Sequence, residues 1–196
     1  MLRPTREQID AGIVDAAAAM FAEHGYERTS LREIASAVGY SKTGLLHRVR
    51  SKEALRDTVA ERCVAAVRDV LALVEPLPAG PARDAAAIEA LADLAASAPG
   101  RLSLALAHDG GLAGTPAGEV LAQVPALLCR CFAIDPAPDG APGAPPAAEA
   151  LERRVRVTAS LAVVGTLTLA FPTTPQHLLR PHLVALALGA LGRTAP

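Results

Sequence analysis

The chain has 196 residues, a formal net charge of −1, and a composition that is 51% hydrophobic but only 3% aromatic. That length can bury a real core, most naturally as one small and one larger domain. Near-neutrality excludes a general polyanion binder, and three cysteines exclude a disulfide framework. Abundant alanine and leucine with few aromatics favour helices packed on small side chains over a β-sandwich.

Taken in chain order, Met1 to Gln8 is polar, so no secretory leader is expected. Thr5 with Gln8 forms a cap for a first helix over about Arg6 to His24, with Ile9, Ile13, Ala17, Met20 and Phe21 inward and Gly25 closing it. Ser30 with Glu33 is a second capping box, because a hydroxyl and a carboxylate three apart satisfy each other's orphan amides. Leu31, Ile34, Ala35 and Val38 follow at helical spacing. Gly39 stands where a helix end needs a residue tolerant of positive φ. Ser41 caps another helix, with Leu45 and Val49 on its apolar side. The turn between these two helices is about three residues, the layout of a helix-turn-helix.

Ser51 caps a long helix over 52–74, whose Leu55, Val59, Cys63, Val67, Val70 and Val74 recur at steps of three or four. Lys52 stands in its first turn, where a cation opposes the helix dipole. A phosphate beside that terminus would compensate. Prolines 76, 78 and 81 end the helix and open the next, about Ala82 to Ser97. Helices over about Arg101 to Asp109 and Pro116 to Phe132 follow, then a polyproline-like loop at 134–146. Two last helices span about 147–170 and 175–191. The fold class expected is therefore all-α, about nine helices, with a three-helix unit at 1–51 and a larger helical domain at 52–196. Helix 52–74 would bridge the two.

The longest apolar run, Val157 to Phe171, is shorter than the roughly 20 residues that a bilayer span needs, so a soluble, cytoplasmic protein is expected. That helix and the run at 183–192 are apolar almost all round, and such helices must be covered on every side. A two-fold partner supplying the same pair would make a four-helix bundle, with Gly165, Gly189 and the alanines permitting close approach. The alternative is a deeply buried core within one chain.

Charge is concentrated on the helix-turn-helix. Between Arg28 and Arg56 lie seven basic residues (Arg28, Arg32, Lys42, Arg48, Arg50, Lys52, Arg56) and two acids (Glu33, Glu53), a local net of +5. A near-neutral chain with one basic patch has the footprint of a local nucleic-acid contact. Charge alone does not separate this from an ordinary solvated helix face; the paired caps and the glycine turn do. Lysine occurs only at Lys42 and Lys52, an arginine bias that points to a GC-rich bacterial genome.

The run from Phe21 to Leu55 resembles the N-terminal domain of TetR-family transcriptional regulators. The resemblance lies in FAEHGYERTS, in the IAxxVGYSKTGLLH core and in the SKEAL opening of the fourth helix. It covers roughly the first third of the chain by motif; the remainder matches only in length and helical character. The resemblance implies a homodimeric, ligand-responsive repressor that binds a pseudo-palindromic operator and whose C-terminal domain dimerises and takes a small molecule. It places Arg32, Lys42, Thr43 and Leu46 at bases, and Thr29, Ser30, His47, Arg48 and Lys52 on the sugar-phosphate backbone. The chain departs from the usual pattern at Leu46, where tyrosine is common, and at Arg48 and Val49, where aromatics are. Leu46 offers an apolar contact to a thymine methyl. Gly44 costs about 1 kcal/mol of helix propensity relative to alanine; a close approach of backbone to DNA would justify it, and tolerance of a poor helix residue is the alternative.

Other chemistry is sparse. His108 and Asp109 are adjacent, but no nucleophile with a positioned base accompanies them, so an enzyme is not expected. No cysteine–histidine cluster has zinc spacing, and neither metal nor cofactor is expected. Cys129 and Cys131 point to different faces of a helix, and Cys63 falls in an apolar stripe; burial is the expectation for them. Arg101, Ser103, His108, Asp109 and Gln123 are polar groups among leucines and alanines, a lining suited to a mostly apolar effector with one polar end. No ligand site is assigned to any of them.

Overall fold

Ten helices and no strand occupy the described residues, which in this computed structural model are 5–107, 110–135, 148–172 and 174–193. They are α1 (Arg6–His24), α2 (Leu31–Ala37), α3 (Lys42–Leu46), α4 (Lys52–Val74), α5 (Pro81–Ser97), α6 (Pro99–Leu106), α7 (Pro116–Leu121), α8 (Val124–Cys131), α9 (Ala148–Ala170) and α10 (Gln176–Ala190). The expected all-α class is the observed one. His108, Asp109 and most of the loop expected at 134–146 lie outside the described residues.

The helix expected over Pro116 to Phe132 is two helices, α7 and α8. Pro125 sits in the first turn of α8. A proline there has no N–H to give to a preceding helical turn, and its ring disfavours helical backbone just before it. The helix expected from Arg101 starts earlier, because Pro99 serves as its first-turn residue.

By backbone packing the chain divides into two compact units, Met1–Ala66 with Ala98–Ala122, and Val67–Ser97 with Gln123–Pro196. Helix α4 contributes to both. The boundary expected after residue 51 divides the chain by sequence, whereas packing groups α6 and α7 with the first three helices.

In the first unit α1 packs along α6. Gly100 lies so close to the Asp15 carbonyl and to Ala19 that any Cβ would clash with backbone. The Asp15 carboxylate accepts from the amides of Gly100 (3.2 Å) and Arg101 (3.0 Å). It thereby caps α6, whose own N-cap, Ala98, supplies no side-chain acceptor. Ile13, Ala17, Phe21, Ile34, Leu45, Leu55 and Val59 form the core beneath the helix-turn-helix.

The second unit is held by α5, α8, α9 and α10. The stripe on α4 continues here, and all six of its expected members are buried. Two adjacent charges are buried as well. Arg83 donates to the carbonyls of Glu75, Leu77, Arg130 and Cys131, satisfying helix-end acceptors. Asp84, fully buried, accepts two bonds from Arg153 and lies 3.5 Å from Arg193. Ser160 on α9 donates to the Ala187 carbonyl on α10 at 2.8 Å.

The α9 segment expected to be covered on every side is not covered within the chain. Val157, Ser160, Val164, Gly165 and Thr168 face inward. Leu151, Val155, Ala159, Ala162, Thr166 and Leu169 form an exposed face at helical spacing. On α10 Leu178, Ala185, Leu186 and Gly189 do the same.

Candidate nucleic-acid interface

The helix-turn-helix is built from caps. Ser30 accepts from the Glu33 amide at 3.2 Å, while Glu33 accepts from the Ser30 amide at 2.8 Å. Hydrogen bonding to the carboxylate from the Ser30 hydroxyl first, and then from the Ser30 amide, holds the Glu33 carboxyl below the usual carboxylate range. Gly39 adopts φ +74, and the Tyr40 amide returns to the Ala35 carbonyl at 2.8 Å, closing α2 as the glycine turn requires. Ser41 accepts from the Gly44 amide at 3.0 Å and starts α3. A Cβ at Gly44 would stand 3.2 Å from the Ser41 hydroxyl and 3.4 Å from the Tyr40 ring. The glycine thus has a packing reason inside the motif. Leu45, fully buried, pins α3 to the core.

The expected contacts divide into three groups. Ser30, Arg32, Lys42, Thr43, Leu46 and His47 are exposed, with Gly44 partly so, and all lie on or just beside α2 and α3. Leu46, at 39% exposure, is a large apolar side chain presented to solvent at the end of α3. Among the described residues no hydrogen bond or ion pair engages the Arg32 or Lys42 side chain.

Thr29 and Arg48 are not brought to that free face. Thr29 is 2% exposed; its hydroxyl donates to the Gly25 carbonyl at 3.0 Å and reaches the Met20 carbonyl at 3.3 Å. It ties the turn before α2 to the end of α1. Arg48 donates to Asp10 Oδ1 at 2.7 Å, and its guanidinium lies 5.5 Å from the Tyr40 ring centroid. The bond to Asp10 raises the Arg48 pKa above the usual arginine value.

Lys52 has internal partners and remains near the surface. Its Nζ sits 4.1 Å over the Tyr26 ring and 3.4 Å from the Glu27 carbonyl. These contacts offset a cation at the first turn of α4. Tyr26 is itself buried against Phe21, edge to face at 5.3 Å, and burial pushes its phenol pKa up. Ser51 accepts from the Ala54 amide at 3.1 Å and caps α4, as its sequence position implied.

Among the described residues no cluster of histidine, cysteine, aspartate and glutamate could hold a metal, and no helix is long and apolar enough to cross a membrane. All three cysteines are free. Sequence reasoning missed Asp10 and Tyr40 as partners of Arg48. The signal available was an acid on α1 facing a basic turn, 38 positions apart in the chain.

Residues 13–59 match the family model of bacterial regulatory proteins, tetR family. No curated protein matches the chain. Among solved structures, the TetR-like transcriptional regulator LfrR from Mycobacterium smegmatis is 17% identical, with 94% of this chain and 97% of that one covered and a TM-score of 0.59. The ketosteroid transcriptional regulator KstR2 of Mycobacterium tuberculosis is 20% identical, with 100% and 98% covered and a TM-score of 0.54. AibR, solved with isovaleryl coenzyme A and operator DNA, is 17% identical, with 91% and 97% covered and a TM-score of 0.50. At these identities the likeness to solved structures is one of fold. Residues 13–59 thus resemble the DNA-binding domain of tetR-family regulatory proteins, and the chain as a whole has the all-helical fold of these solved regulators.

Proposed function

We propose that the chain is a cytoplasmic, ligand-responsive repressor that acts as a homodimer on a pseudo-palindromic operator. In this reading residues 1–51 are the reader, 52–196 form the regulatory and dimerisation domain, and α4 links them. The observation that carries it is the exposed pair Arg32 and Lys42, unpaired among the described residues, on two helices that each carry a serine cap. Thr43, Gly44 and Leu46 complete the surface offered to the major groove, with His47 beside them toward the sugar-phosphate backbone. Ser30 and Lys52 flank it toward the phosphates.

The dimer is supported by the exposed apolar faces of α9 and α10, which a second copy would cover. Two-fold symmetry then requires copies of α3 about 34–36 Å apart, entering successive major grooves. An effector that prefers one tilt of α4 would change that separation; equal affinity for both states would shift nothing. AibR, of similar fold, was solved with isovaleryl coenzyme A and operator DNA; for this chain a largely apolar effector with one polar end suits the leucine- and alanine-rich middle helices.

Titration of a mixed-sequence duplex at rising salt tests the DNA reading. Counterion release predicts a steep linear fall of log affinity with log salt. Absence of any retained duplex at low ionic strength would remove the reading.

A further inference from the structure

Arg48, Arg50 and Lys52 stand together at the turn from α3 into α4, yet the structure uses them differently. Arg48 is engaged by Asp10 and lies against Tyr40, its side chain 24% exposed. Lys52 is partly engaged by the Tyr26 ring. Arg50 is exposed, and among the described residues no hydrogen bond, ion pair or ring contact involves it. It immediately precedes Ser51, the cap of the 23-residue α4.

An arginine already bonded to a carboxylate gains little by moving to a phosphate, because one charge-assisted bond is exchanged for another and Asp10 is left unpaired. Arg50 surrenders only water. Arg48 and Lys52 stand two residues to either side of it in the chain, so the local charge is positive and favours an arriving anion. We infer that Arg50, not Arg48, is the guanidinium that grips DNA phosphate at this turn, and that Arg48 is a strut fastening the turn to α1 through Asp10. The inference rests on the DNA-binding reading above and adds a contact that reading did not include.

The test is the salt slope of binding to a mixed-sequence duplex for the full-length protein and its variants. Each lost phosphate contact lowers the log–log slope by about 0.9. Arg50→Ala is expected to lower the slope by that amount with an unchanged thermal midpoint, and Arg50→Lys to restore it. Arg48→Met, which keeps an apolar stem over Tyr40, is expected to lower the thermal midpoint and leave the slope as in the wild type. An unchanged slope in Arg50→Ala, or a reduced slope in Arg48→Met, overturns the inference. A wild-type protein that retains no duplex overturns the DNA-binding reading itself, and the inference with it.

Discussion

Lys52 Nζ lies 4.1 Å over the ring of Tyr26, so the cation at the start of α4 is seated on a buried aromatic that belongs to the turn after α1. Arg56 approaches the same ring at 5.4 Å. The ring therefore joins the reader's packing to its charge. Replacing it separates the two: Tyr26→Leu is expected to cost about 1–2 kcal/mol of stability, from the lost cation–π and edge contacts. Lys52→Ala should instead weaken binding to all duplex sequences alike, while costing under about 1 kcal/mol. Urea unfolding and duplex titration of both variants check this; equal affinity for wild type and Lys52→Ala would remove Lys52 from the phosphate-facing set.

Thr29 and Ser30 are neighbours with opposite placements. Thr29→Val keeps the shape and removes a buried hydroxyl that serves two carbonyls, so a loss of about 1–2 kcal/mol is expected with little change in DNA affinity. Ser30→Ala removes the α2 cap at a cost of about 1 kcal/mol and lowers DNA affinity as well. A Thr29→Val variant of normal stability that binds DNA weakly would show that the hydroxyl turns outward in the complex.

The cysteines should differ in reactivity. Burial pushes the Cys63 thiol up to about 12 and the Cys131 thiol to about 11, so both stay protonated through the neutral range and gain thiolate only as pH approaches those values. Cys129 is the more accessible thiol. Brief alkylation near about pH 8, read by peptide mass spectrometry, should label Cys129 first and leave Cys63 unmodified. Rapid labelling of Cys63 would contradict its place in the α4 core.

The apolar faces of α9 and α10 predict a dimer that charge can break. Val155 is 57% exposed and Leu186 56% exposed, although both lie in helices rich in apolar residues. Leu186→Glu leaves the inner face untouched and would bury a carboxylate in the interface. Sedimentation should show a wild-type dimer and a folded Leu186→Glu monomer. A wild-type monomer at micromolar concentration would leave these faces without the partner proposed for them.

What was legible in the sequence was local. Capping boxes at Thr5 and Ser30, the glycine turn at Gly39 and the α4 stripe depend on residues three or four apart, and each appears as expected. Contacts set by distant chain segments were not legible. Asp15 caps α6 across 85 residues, and Asp84 meets Arg153 across 69. Thr29 looked like another polar residue beside a cap until the carbonyls of Met20 and Gly25 claimed its hydroxyl. Arg48 was indistinguishable by composition from Arg50, since only the fold brings Asp10 to one and not the other. The last helix, expected over about 175–191, does run through Pro181 despite the missing donor.

Selection of bound sequences from a random duplex library tests the central claim most directly, with the wild type beside Lys42→Ala and Thr43→Ala. If the exposed edge of α2 and α3 reads DNA, the wild type enriches an inverted pair of half-sites centred about one helical turn apart. The two variants should then relax or shift the preference within each half-site. No enrichment by the wild type, or an enriched sequence that is identical in both variants, would contradict the assignment of this edge as the reader.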